Sequence, residues 1–120
     1  MARVVALVPD LLFGSRVLGA LLAAGHDVEL VADADAARAR ITDKAGAAVL
    51  VVDLTNEDLE GAGVVESLAG EGALSQTRTL GFYSHVDAPA RERGELAGFD
   101  LVVPRSRMAR EGPELVGRLT

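Results

Sequence analysis

Short apolar runs alternate along this chain with stretches in which apolar residues recur every three or four positions. The runs Arg3 to Val8, Val28 to Ala32, Ala48 to Val52, Thr79 to Tyr83 and Leu101 to Val103 read as buried strands. After the first, Val17, Leu18, Leu21 and Leu22 share one helical face within a helix from about Phe13 to Ala24, and Gly25 stops it. Asp33 suits the N-cap of a second helix reaching about Asp43. Val64, Val65 and Leu68 define a third from Ala62 to about Ala69, and Asp87 followed by Pro89 opens a fourth that reaches about Leu96. The end is less regular. Ser106 to Arg110 predicts a turn, Gly112-Pro113 an interruption, and Glu114 to Leu119 a short terminal helix.

Strand and helix thus alternate five times, which predicts an α/β fold. The simplest packing is a flavodoxin-like (βα)5 three-layer sandwich, with a parallel five-stranded sheet of order 2-1-3-4-5 between two layers of helices. Residues 1–120 are expected to form one domain, long enough to bury a core without disulfides or metal. No internal repeat, low-complexity tract or linker interrupts it. In this order the ends of the first and third strands flank the switch point, where open α/β sheets bind their ligands. Asp10 and Asp53 close those strands and are expected to meet in one crevice.

Composition removes several chemistries. The chain has no cysteine, which excludes a disulfide, a zinc-thiolate centre and a thiol nucleophile. Twelve basic against eighteen acidic residues argue against a phosphate-backbone partner, and three Phe, one Tyr and no Trp leave few platforms for stacking bases. No direct nucleic-acid partner is expected. The first apolar run, Val4 to Val8, is too short for a signal sequence or a membrane span, and no later run is long enough to cross a bilayer. The expectation is a soluble, cytoplasmic protein without a membrane partner.

The segments Pro9-Asp10, Asp53 through Gly61, Ser84-His85 and Val103-Pro104-Arg105-Ser106 resemble the receiver domains of two-component response regulators, the CheY-like family, and the resemblance covers essentially the whole chain. It implies that Asp53 is the phosphoacceptor candidate, that Asp10, Asp53 and the Thr55 carbonyl are the candidate metal ligands, and that Ser84 supplies the hydroxyl to the phosphoryl group. The chain also departs from the family pattern. Pro9 replaces one of two acids, Glu57 stands where proline is usual, and His85 replaces a small residue, which makes it a candidate gate. Leu101 falls at the switch aromatic and Pro104 at the lysine; the only lysine, Lys44, precedes the third strand. The resemblance is that of an atypical, pseudo-receiver-like member.

Phosphoryl transfer to a carboxylate requires in-line approach and positive charge on the phosphoryl oxygens, which in this family means Mg²⁺ and the lysine. Mg²⁺ can use one or two carboxylates, a carbonyl and waters, so weak Mg²⁺ binding is expected and no organic cofactor. Arg105 is the candidate substitute for the lysine. It comes one residue late, where strand alternation aims it at the opposite face, and its planar fork offers a different donor geometry.

Bland roles stand beside these. Asp10 and Asp53 can be polar strand ends, Ser84 and Ser106 turn or cap residues, His85 and His26 solvated side chains, and Glu57, Asp58 and Glu60 a solvated loop with Glu57 leaning to the metal position. Arg91 and Arg93, with Arg105, Arg107 and Arg110, gather near the chain's end and mark a candidate partner face, for which Arg91, Arg93 and Arg107 are the interface candidates.

The leading expectation is a non-enzymatic, receiver-like signalling module acting through protein contacts, with weak or absent Mg²⁺-dependent phosphorylation. Its partner would be a histidine kinase or an output domain or protein, with a homodimer possible through the fourth helix, fifth strand and terminal helix. The alternative is a conventional phospho-receiver using Asp53 and Arg105. A nucleotide-binding Rossmann-like domain is less favoured, because Pro9 to Gly14 holds one glycine where the dinucleotide fingerprint needs three.

Overall fold

The computed structural model describes residues 2–120 as alternating strands and helices. They are β1 (Arg3–Leu7), α1 (Leu11–Ala23), β2 (Asp27–Val31), α2 (Ala34–Ile41), β3 (Val49–Asp53), α3 (Gly61–Gly70), β4 (Arg78–Tyr83), α4 (Ala88–Ala97), β5 (Leu101–Pro104) and α5 (Arg105–Leu119). The strands form one parallel sheet of order β2-β1-β3-β4-β5, the flavodoxin-like arrangement expected from the alternation.

Side-chain parity along the strands divides the core in two. Val49 and Val51 of β3 join Val4, Ala6, Leu80, Phe82 and Val103 against α1 and α5, whereas Leu50 and Val52 join Val5, Leu7 and the inner residues of α2 and α3. Asp53 continues the parity of Val51, so it leaves the sheet on the α1/α5 side. Its register partner on β4 is the fully buried Phe82.

The helix ends follow their capping chemistry. Asp33 accepts from the Ala36 N–H at 2.8 Å and Asp87 from the Ala90 N–H at 3.1 Å. Gly25 takes the left-handed φ of 90° that ends the turn after α1. Helix α1 starts at Leu11, earlier than periodicity predicts, because Asp10 is its N-cap.

The terminal segment corrects the sequence reading. No turn and short helix form; α5 is one continuous helix of 15 residues with Pro113 inside it, and Ser106 lies in its first turn instead of capping a later helix. An interior proline costs about 3 kcal/mol. Against that, Met108, Leu115 and Val116 are almost wholly buried on the α1 side of the sheet, each worth roughly 1.5–3 kcal/mol. Burial wins over the local break, and Gly112 fits the same face because a β-carbon there would lie 3.2 Å from Met108 Cε.

Candidate functional site

The C-terminal ends of the strands carry the candidate residues. At the end of β3, Asp53 is only 2% exposed. Its Oδ1 accepts from the Thr55 backbone N–H at 2.7 Å and from the Thr55 hydroxyl at 2.6 Å, a local turn that fixes the carboxylate plane. Its Oδ2 has no hydrogen-bond partner, and among the described residues no fully buried side-chain oxygen lacks one, so Oδ2 keeps a sliver of accessible surface. One oxygen is tied down and the other is presented.

Packing under the following loop holds this arrangement. Leu54 points to the opposite face and fills a gap left by three glycines. A β-carbon on Gly81 or Gly94 would lie 2.8 Å from Leu54 Cδ1, and one on Gly61 would lie 2.6 Å from Val52 Cγ1 and 3.0 Å from the Asp53 carbonyl oxygen. Real β-carbons do not come so close. The loop ends at Glu60, which holds a left-handed φ of 49° without a side-chain cap, at a cost of about 1–2 kcal/mol. Gly81 inside a strand run is a sequence signal that could have revealed this close approach, which was not foreseen.

The other rim is built differently. Asp10 Oδ1 accepts from the N–H groups of Leu12 at 3.0 Å and Phe13 at 3.1 Å. Asp10 Oδ2 lies 3.5 Å from Arg105 Nη2. The Arg105 guanidinium carbon sits 4.2 Å over the Phe13 ring, and that ring packs on Phe82 with centroids 5.0 Å apart. Arg105 therefore faces α1, placed there as the first residue of α5, since strand geometry ends at Pro104. Phe13 as its platform was not foreseen from the sequence. Asp10 also occupies the α1 N-terminus, where a dinucleotide-binding fold would receive its pyrophosphate.

Asp10 and Asp53 end strands whose neighbours pair directly, Leu7 opposite Val52, but their carboxylates turn to different partners. Ser84 is half-buried just beyond β4, its carbonyl accepting from the Asp87 N–H at 2.8 Å, while His85 and the adjacent Val86 are exposed. Glu57 lines a recess between α3 and α4 with Asn56, Glu60 and Arg93. His26 is half-buried rather than fully solvated, and its Nδ1 accepts from the Ala2 N–H at 3.3 Å.

The arginines near the chain's end are engaged within the molecule. Arg93 makes two hydrogen bonds to Glu66 of α3, at 2.9 and 2.6 Å, which hold the Glu66 carboxyl below its ordinary range and raise the Arg93 guanidinium. Arg91 pairs with Glu95 at 3.7 Å, and Arg107 with Glu111 at 3.4 Å. The α4/α5 face is a mosaic of ion pairs.

The donors do not fit a well-formed Mg²⁺ site. Among the described residues no three His, Cys, Asp or Glu side chains gather as a metal-holding group. Of the two carboxylates at the crevice, Asp10 is spent on a helix cap and a guanidinium, which leaves Asp53 Oδ2 as the one free anionic oxygen. Octahedral Mg²⁺ with a single carboxylate is held weakly.

The fold is that of response-regulator receiver domains. The chemotaxis response regulator CheY4 of Vibrio cholerae superposes with a TM-score of 0.84 over 100% of this chain and 99% of its own, at 21% sequence identity. The receiver domain of Francisella response regulator 1452 gives 0.84 over 99% and 96%, at 16% identity. The BeF3-activated DrrB receiver domain gives 0.79 over 99% and 97%, at 17% identity. The sequence matches no protein-family model and no curated protein. No helix among the described residues is long and apolar enough to cross a membrane.

Proposed function

We propose that this chain is a receiver-like signalling module that works through protein contacts, with little or no phosphorylation of Asp53 and only weak Mg²⁺ binding. The receiver fold supports the coarse reading, and the charge arrangement at the crevice carries the finer one. Asp53 is positioned with its Oδ2 unpaired, but the residue after β5's last valine is Pro104, and the cation that follows it, Arg105, is engaged by Asp10 and Phe13. An aspartyl phosphate there would add negative charge without the counter-charge that stabilises its formation. Signalling then rests on surface complementarity to a histidine kinase or to an output domain or protein. Contacts or self-association through α4, β5 and α5 would have to reuse the ion pairs of Arg91, Arg93 and Arg107.

One observation favours a second reading. Arg105 already lies on the α1 side of the crevice, so a small swing from Asp10 toward a phosphoryl group would let it act as the missing cation of a conventional phospho-receiver. Intact mass after acetyl phosphate treatment separates the two. The contact module gains little phosphate; near-stoichiometric phosphate that is absent from Asp53→Asn would establish the second reading and overturn the first.

A further inference from the structure

The first turn of α5 carries Arg105 and Arg107 and no acid, and Pro104 offers it no side-chain cap. Cations at a helix N-terminus oppose the helix dipole. Arg105 is therefore badly placed for the stability of its own helix, and what compensates it lies elsewhere. Its guanidinium is held from two directions, by Asp10 Oδ2 at 3.5 Å and by the Phe13 ring at 4.2 Å. Phe13 is in turn fixed by Phe82, the residue opposite Asp53 in the sheet.

We infer that Arg105 is the resident cation of the crevice, taking at Asp10 the charge-neutralising place open to a divalent metal and thereby lowering the affinity of the site for Mg²⁺. A metal approaching Asp10 has to displace the guanidinium from Oδ2, because Oδ1 is committed to the N–H groups of Leu12 and Phe13. With proline at position 9 no neighbouring acid is left to receive the displaced charge. Mg²⁺ also gives up its own waters reluctantly, so even a modest competitor shifts the balance. Both partners are less than half exposed, at 43% and 45% of their side chains, so the penalty is that of a partly solvated pair strengthened by stacking. It should appear as about three- to tenfold in affinity.

The inference rests on the receiver-like reading for the identity of the ion, and its test uses no phosphodonor. Failure here is therefore distinct from phosphorylation of Asp53, which would overturn the contact-module reading. MgCl2 is titrated into the wild type, Arg105→Gln, Arg105→Gln with Asp10→Asn, and Arg107→Gln, followed by amide NMR. Arg105→Gln should tighten Mg²⁺ binding about three- to tenfold, with shifts at Asp10 and Phe13. Adding Asp10→Asn should remove the gain, and Arg107→Gln, the same charge change two residues on, should leave binding as in the wild type. Equal affinities for wild type and Arg105→Gln would overturn the inference. So would a gain that survives Asp10→Asn, or an equal gain in Arg107→Gln, which would mark a bulk charge effect. If Arg105→Gln does not fold, Arg105→Met keeps a stem over Phe13 without the charge and carries the same expectations.

Discussion

The two rims of the crevice are held by different forces. On the β3 rim, Asp53 is set by a sheet register, a local turn to Thr55 and the packing of Leu54 into space left by Gly61, Gly81 and Gly94. On the β1/β5 rim, Asp10 and Arg105 are half-exposed and held by an ion pair and by stacking of the guanidinium on the buried Phe13. Interiors are close-packed and resist a single added carbon, whereas an exposed ion pair is worth only about 0–1 kcal/mol. A carboxylate can therefore stay in place while the groups that gave such a site its chemistry are exchanged around it.

The sharpest way to break this contrast is to add one carbon to the β3 rim. Gly61→Ala should cost about 1–3 kcal/mol by overpacking, read as a lower urea midpoint at unchanged slope. Gly81→Ala should be destabilising for the same reason, but less so in a Leu54→Ala background, where Cδ1 is gone and only the Phe99 ring edge at 3.0 Å still crowds the new carbon. Full additivity of the two would show that Leu54 is not what fills the gap.

The opposite rim should be softer. Arg105→Ala should lose about 1 kcal/mol, the ion pair and the ring contact together, and lower the melting temperature by a few degrees. A loss as large as that of Gly61→Ala would erase the distinction between the rims.

The smallest effect belongs to the surface pairs away from both rims. The hydrogen bond from Arg93 holds Glu66 below its ordinary range, as the one from Arg38 does for Glu71. The folded state thus releases these protons more readily than the unfolded chain. Their stabilisation is complete above the ordinary glutamate value near about pH 4.3 and fades as pH falls through the lower folded value. Glu66→Gln should slightly lower the melting temperature near neutrality, where the stabilisation is complete, and the difference from the wild type should close as pH falls below that point. A difference that persists undiminished in acid would reject the assignment.

Most of the fold was legible in the sequence because its signals are local. Short continuous apolar runs for strands, apolar spacing of three and four for helices, Asp33 and Asp87 as caps and Gly25 as a stop each act within a few residues, and the strand order follows from their alternation. The continuity of α5 was hidden because the cue, Gly112-Pro113, is local while the force that overrides it is burial against α1 and the sheet. At the site, the sequence identified the residues without their partners. That Asp10 would cap α1 and hold Arg105 over Phe13 depends on the approach of chain segments from opposite ends, which leaves no periodic mark. Gly81 and Gly94 were visible as glycines inside a strand and a helix, but only the fold shows that both make room for one leucine.

That leucine constrains the history open to this chain. An ancestor or descendant that replaces Gly81 or Gly94 before shortening Leu54 passes through an overpacked state, and one that shortens Leu54 first passes through a void. Both orders cross a less stable sequence, so a single replacement at any of these positions costs stability. Asp10 and Arg105 are joined only by a partly solvated pair, so a change at Arg105 leaves Asp10 still serving as the α1 cap.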